Sequence, residues 1–175
     1  MPISRNPSKR SSTIQHPVRP DAAAEAIAPL KDKVFGVLVC AATFHDDHVL
    51  LLRRSEDQKF MPGEWSIPAG KIQPLEESLE DAVCRELYEE AGIKGRVRHG
   101  LGMCWFESRY YDQLLHHIQF NFVVDAEDRQ VKLMDKSNMD HLWLSVHQIH
   151  RPPVRIDDFT STVLGKAVDY HLRHR

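Results

Sequence analysis

No stretch of the 175-residue sequence is apolar over the length a bilayer demands. The longest apolar run, Val34 to Phe44, falls well short of the roughly 20 residues that a spanning helix needs. Nothing near the N-terminus resembles a secretory h-region, so a cytoplasmic protein with no membrane partner is expected. Cysteine is scarce. Cys40, Cys84 and Cys104 are odd in number and each lies among apolar neighbours, which argues against a disulfide framework or a zinc site and fits reduced thiols. Neither sign of charge dominates: a formal charge of −2 and an isoelectric point near 6.6 leave no basic excess of the kind that holds a nucleic-acid polymer. Internal repeats and low-complexity domains are also lacking. The composition, 42% hydrophobic and 27% charged, suits one soluble domain with a sizeable core.

Acidic residues are missing from positions 1 to 20, which carry Arg5, Lys9, Arg10, Arg19, several serines and four prolines. Such a segment cannot bury enough apolar surface to fold and is expected to be mobile. Pro7, Pro17 and Pro20 spoil the amphipathic helix that a transit peptide needs. Asp21 could cap a short helix through Leu30. Residues 1–30 are therefore expected to be a basic tail and 31–175 the folded domain.

Glycine and proline are absent from about Glu77 to Ala91, where good helix formers dominate. At roughly 100° per residue, Leu79, Ala82, Val83 and Leu87 form one apolar stripe. Glu86 and Glu90 project within that stripe, and Glu89 sits at its edge. A solvated charged face, the ordinary reading of a glutamate-rich helix, fits Glu80 and Asp81. It does not fit Glu86 and Glu90, because carboxylates drawn toward an apolar seam cost several kcal/mol each unless paired. Arg85 can offset one charge. A hard divalent cation such as Mg²⁺ or Mn²⁺, which prefers oxygen ligands, would offset the remainder.

These residues carry a resemblance. Arg85 through Ile93, RELYEEAGI, matches in full the second half of the Nudix hydrolase signature, G-x5-E-x7-R-E-U-x-E-E-x-G-U with U aliphatic. Gly70 and Glu77 resemble its first glycine and first glutamate, and Trp65 to Lys71, WSIPAGK, is similar to the family's lead-in. One departure exists: six residues rather than five separate Gly70 from Glu77, so the turn at Pro74, Leu75 and Glu76 is one longer. The resemblance implies an α/β fold, the Nudix-type α/β/α sandwich with a mixed sheet, spanning Val34 to about Val146. It implies a diphosphate-cleaving enzyme using Mg²⁺, with Mn²⁺ able to substitute. Metal would be held by Gly70 C=O, Glu86, Glu89 and Glu90, with Arg85 and Glu77 orienting the cluster and Glu89 as general base. In some relatives the base is a loop carboxylate beyond the box, for which Glu107, Asp112, Asp135 and Asp140 are candidates.

Along the chain, Lys33 to Phe44 reads as a strand buried on both faces, continuously apolar and β-rich. His45, Asp46 and Asp47 turn it into a second strand, Val49 to Arg53, and Trp65 to Pro68 gives a short strand. Val97 to Phe106 and His116 to Val124 read as two further strands joined by ESRYYDQLL. Val131 to Leu133 reads as a short edge strand and Leu142 to Val146 as another. Asp157 or Asp158 should cap a final helix with Val163, Leu164, Ala167, Val168 and Leu172 on its apolar side. Adjacent strand residues point to opposite faces, so His116 and His117 are not a metal pair.

For substrate, Arg53 and Arg54 emerge where the second strand ends and a guanidinium there could fork onto phosphate oxygens, although a solvated strand end is an equal reading, and Trp65, Phe106, Tyr110 and Tyr111 could stack on a base. Trp143 is better read as core. In Nudix relatives a tyrosine beyond the box goes with dinucleoside polyphosphates and a proline with ADP-ribose. Tyr110 and Tyr111 stand in that region here, so the reading leans to dinucleoside polyphosphates, with ADP-ribose and oxidised or non-standard nucleoside triphosphates as alternatives. The expected partner is a small-molecule nucleotide, with a homodimer left open. A relative of isopentenyl-diphosphate isomerase would need a catalytic cysteine before the helix, where Gly70 and Lys71 stand. A non-catalytic nucleotide sensor would usually lack box acids, and none is missing here. If the longer turn simply loops out, as insertions in exposed turns do, deleting Glu76 will leave diphosphate hydrolysis intact in a turnover assay. Lost activity in a folded deletion variant would instead make Glu76 part of the site.

Overall fold

The computed structural model describes residues 35–73, 78–110 and 113–174, all within one compact unit, Asp32–Arg175. The expected tail, its short helix, the turn at residues 74–76, Glu77, Tyr111 and Asp112 lie outside the described residues. Seven strands form one sheet: β1 (Phe35–His45), β2 (His48–Arg54), β3 (Trp65–Ser66), β4 (Ala69–Lys71), β5 (Gly95–Tyr110), β6 (Gln113–Ala126) and β7 (Asn138–Ser145). Helices α1 (Leu79–Ala91) and α2 (Asp158–Arg173) cover its two faces. The order is β3-β2-β1-β6-β5, with β4 added to β1 and β7 to β2. β1 runs parallel to β6 and antiparallel to its other partners, so the sheet is mixed. No helix among the described residues is long and apolar enough to cross a membrane.

β1 is central because both its faces are apolar. Val39 and Ala41 join the core beneath α1, while Cys40, Ala42 and Phe44 join the core beneath α2. The same alternation divides β2, with Leu50 and Leu52 toward α1 and Val49 and Leu51 toward α2, as a period of two requires. The β1–β2 connection is tight, and Asp46 takes φ of 50°, a conformation aspartate tolerates. All three cysteines are free thiols.

Two expectations need correction. The segment read as a connection between β5 and β6 is largely strand. Glu107 pairs with His116, Ser108 with Leu115 and Arg109 with Leu114, because the ladder needs only backbone groups and continues past the apolar run. Val131 to Leu133 is not a strand. Lys132 N donates to Ala91 O at 2.8 Å and Met134 N to Glu90 O at 3.3 Å, so this segment satisfies the carbonyls left open at the C-terminus of α1. Gly92 ends α1 at φ of 68°, and a Cβ there would stand 3.0 Å from Lys132 O. Val131 and Leu133 pack on the α1-side core, as does Trp143, whose Nε1 donates to Arg129 O at 3.1 Å. β7 is longer than expected because it begins at Asn138, alongside Arg54.

Leu87 is fully buried beneath α1, whereas Tyr88, next along the helix, is 46% exposed. Leu87→Ala should therefore cost about 2–5 kcal/mol in a denaturant titration, against about 0.5 kcal/mol or less for Tyr88→Ala.

Candidate active site

α1 begins at Ser78, whose Oγ accepts from Asp81 N at 3.0 Å, and it buries Ala82, Val83, Leu87 and Ala91. That rotation places Glu90 in the interior as well. The Glu86 side chain is 14% exposed and that of Glu89 51% exposed, matching the stripe-and-edge pattern of the sequence. β4 lies against this acidic row. A Cβ at position 70 would fall inside the Glu86 carboxylate, so only glycine lets the helix approach the strand this closely. One residue earlier, Ala69 N donates to Glu90 Oε2 at 3.2 Å.

Arg85 ties the acids together. Its Nη1 lies 2.8 Å from Glu86 Oε1 and 3.0 Å from Glu89 Oε2, and its Nη2 donates to Lys71 O at 3.2 Å. Among the described residues Glu90 makes no ion pair. Burial pushes its carboxyl up to about 8, against the bond from Ala69 N; the charges of Glu86 and Asp135 push the same way, and Arg54 opposes them.

Asp135 is thus the loop carboxylate whose charge reaches this cluster, and it is held in place by Ser137 N at 2.6 Å and by the Ser137 hydroxyl. Glu107 instead pairs with His116 at 3.1 Å, and Asp140 accepts from His141 N at 2.8 Å. Sequence had not separated these three, because their distance from α1 depends on how the strands pair.

Of the two arginines expected at the end of β2, Arg54 is the one whose charge acts on Glu90, and its guanidinium bonds Phe60 O at 2.8 Å and Gln58 Oε1 at 3.2 Å. Strand alternation was the available signal, since Leu52 faces α1 and residue 54 shares its side. Arg53 faces the other way: its Nε donates to Gly63 O at 3.2 Å and its Nη2 to Glu56 Oε1 at 2.8 Å. It lines, together with Trp65, Glu64 and Arg155, a cavity of about 330 Å³. Phe106 stacks on His117 at 4.9 Å and meets Phe159 of α2 at 5.2 Å. Tyr110 closes β5 opposite Gln113. The structure thus brings Gly70, Arg85, Glu86, Glu89 and Glu90 into one cluster and sets Arg53 and Trp65 together in another.

Among the described residues no three histidine, cysteine or carboxylate side chains converge tightly enough to hold an ion by themselves. The donor chemistry nonetheless fits a hard divalent cation completed by water and phosphate oxygens. Glu86, paired with Arg85, and the buried Glu90 are carboxylates packed on the backbone of Ala69 and Gly70.

A layered fold with an acid-rich helix packed on a glycine strand defines the Nudix class, and the comparisons agree. The NUDIX domain family model matches residues 32–162. Diphosphoinositol polyphosphate phosphohydrolase 2 of Rattus norvegicus is 28% identical over 120 residues, covering 65% of this chain and 62% of that protein. Nucleoside triphosphatase NudI of Klebsiella pneumoniae is 34% identical over 62 residues, 35% of this chain and 43% of that protein. The chain's matches thus span less than two thirds of the length of these relatives. The MutT protein of Methanosarcina mazei Go1 superposes with a TM-score of 0.64 at 26% identity, covering 81% of this chain and 98% of that one. The chain belongs to the NUDIX family.

The raised Glu90 carboxyl has a consequence for stability. In the unfolded chain it ionises near 4.5, in the folded one near 8, so between these values the folded state binds the extra proton and stability falls as pH rises. The loss is complete above about pH 8 and is on the order of a few kcal/mol, at about 1.4 kcal/mol per unit of displacement. In chelator, the melting temperature should drop from pH 5 to pH 8.5, and Glu90→Gln should flatten that slope. An unchanged slope in the variant would assign it to another group.

Proposed function

We propose that this protein hydrolyses a diphosphate bond in a nucleoside diphosphate derivative, using Mg²⁺ or Mn²⁺. The observation that carries the reading is the buried, protonation-prone Glu90 packed beside Glu86 on a strand that only glycine at position 70 permits. Such crowding is costly in a structural role and becomes favourable when a cation and a diphosphate share the site. The divalent ion, when bound, neutralises phosphate charge and makes a nearby water more acidic.

In this reading Glu86, Glu89, Glu90 and the Gly70 carbonyl hold the ion. Arg85 positions Glu86 and Glu89 and is itself anchored on Lys71 O. Glu77 completes the orienting set, as the signature implies. Glu89, the most exposed of the three helix acids, takes the proton of the attacking water. The water oxygen bonds to phosphorus as the bond to the bridging oxygen breaks, giving two products that each end in a phosphate group. Asp135 stands as the alternative base, being the loop carboxylate whose charge acts on Glu90.

A nucleotide substrate is supported by the similarity to a nucleoside triphosphatase and by the indole of Trp65 in the cavity beside β3. The similarity to diphosphoinositol polyphosphate phosphohydrolases supports diphosphate cleavage equally, on a non-nucleoside substrate. A second base in a dinucleoside polyphosphate would need rings beyond Phe106, which is already stacked on His117 and in tilted contact with Phe159. Three free thiols suit a reducing compartment such as the cytoplasm.

Glu89→Gln should preserve the fold and lower Mg²⁺-dependent turnover by about two to four orders of magnitude, the usual range for a positioned general base. The assay compares kcat/KM for diadenosine tetraphosphate, ADP-ribose, an oxidised dGTP and a diphosphoinositol polyphosphate. Near-normal turnover in Glu89→Gln would remove that residue as base, and preference for the inositol compound would remove the nucleotide reading.

A further inference from the structure

We infer that the cavity between loop residues 55–65 and the segment 154–156 is a nucleobase seat. Its chemistry selects a base that presents adjacent ring N–H and amino donors, of which guanine is the common example. The inference rests on the nucleotide reading above and specifies which nucleotide.

The cavity is built rather than incidental. Arg53 fixes its rim from within by bonding Gly63 O and Glu56 Oε1. Gly63 sits at φ of 70°, a left-handed conformation that favours glycine at this rim. The loop ends are pinned to the sheet by Arg54 N to Glu64 O at 3.0 Å and Ser55 N to Ser137 O at 2.8 Å. Trp65 pairs with Arg53 across β2 and β3 and bridges to Ile156, which ties the two walls of the cavity together.

Three features identify the occupant. First, the volume of about 330 Å³ admits one heterocycle with part of its sugar. Second, two guanidinium groups, Arg53 and Arg155, are matched by two carboxylates, Glu56 and Glu64. With no net positive charge, the cavity offers a polyanion such as an inositol polyphosphate nothing to bind. Trp65, Pro62 and Val154 instead supply flat and apolar wall, and an indole stacks on a base.

Third, Glu64 has an edge to offer. Its side chain is 27% exposed and meets Arg155 only at 3.8 Å, and the Arg155 side chain is 86% exposed. That pair is weak and readily exchanged. A carboxylate is an acceptor at both oxygens, so it is best answered by two parallel N–H donors. The ring N–H and exocyclic amine of guanine form such a pair. Hypoxanthine lacks the amine, adenine sets an acceptor beside its amine, and uracil flanks its N–H with two acceptors.

The test titrates GMP, IMP, AMP and UMP into the full chain in chelator, where no hydrolysis can contribute. GMP is expected to bind about tenfold or more tightly than IMP, AMP or UMP. Glu64→Gln should abolish that preference without changing the melting temperature, and Trp65→Phe should keep the preference with weaker binding of all four. Equal affinities in the unaltered protein, or a preference unmoved by Glu64→Gln, would overturn the proposal. Because these titrations do not involve turnover, failure of the hydrolytic assignment would show in the Glu89→Gln assay and leave them unaffected.

Discussion

The packing of the Glu86 and Glu90 carboxylates against the backbone of Ala69 and Gly70 is the constraint on which the rest depends. Two acids held at the seam between a helix and a strand oppose folding through desolvation and mutual repulsion. They persist because everything around them is over-determined. α1 is capped at both ends, Ala82, Val83 and Leu87 of its apolar stripe are fully buried, and β4 is paired in register with the central strand. Arg85 gathers Glu86 and Glu89, no cation among the described residues pairs with Glu90, and burial pushes that carboxyl up. Strain of this kind, stored in a rigid setting, is characteristic of sites that bind charge.

The central sheet separates two tasks. Its α1 side carries the acids, with Arg54 and Asp135 acting on Glu90 from neighbouring elements. Near the β2–β3 edge, Arg53 and Trp65 line an open cleft bordered by the segment before α2. Consecutive arginines at 53 and 54 both brace the loop after β2, Arg53 through Gly63 O and Glu56 and Arg54 through Phe60 O and Gln58, and the charge of Arg54 also acts on Glu90. The family's chemistry resides on one element and its variation on loops attached to the same rigid strands, which is how one fold hosts many substrates.

Much of this was legible in the residues alone. The continuous apolar run of β1, the stripe of α1 interrupted by Glu86 and Glu90, and the Asp157 cap of α2 all appear in the structure where periodicity placed them. These features follow from covalent geometry: 3.6 residues per helical turn and two per strand repeat fix which side chains share a face before any tertiary contact forms. The misreadings have an equally definite cause. The outer half of the β5–β6 hairpin is polar, so no apolar alternation marks it, yet backbone pairing carries it on. Residues 131–133 are β-rich but serve as the cap of a helix some forty positions earlier in the chain, a use invisible to any local pattern.

The sequence by itself therefore determined the central strand, the acid-bearing helix, the two-sided core and the set of acids on one helical face, because each depends on spacing within a short segment. Tertiary structure alone decided which arginine meets the acids, which loop carboxylate reaches Glu90, and that Trp65 shares a cavity with Arg155. Those outcomes join residues dozens of positions apart. They are set by strand register and by the faces that burial leaves available, quantities that no local periodicity encodes.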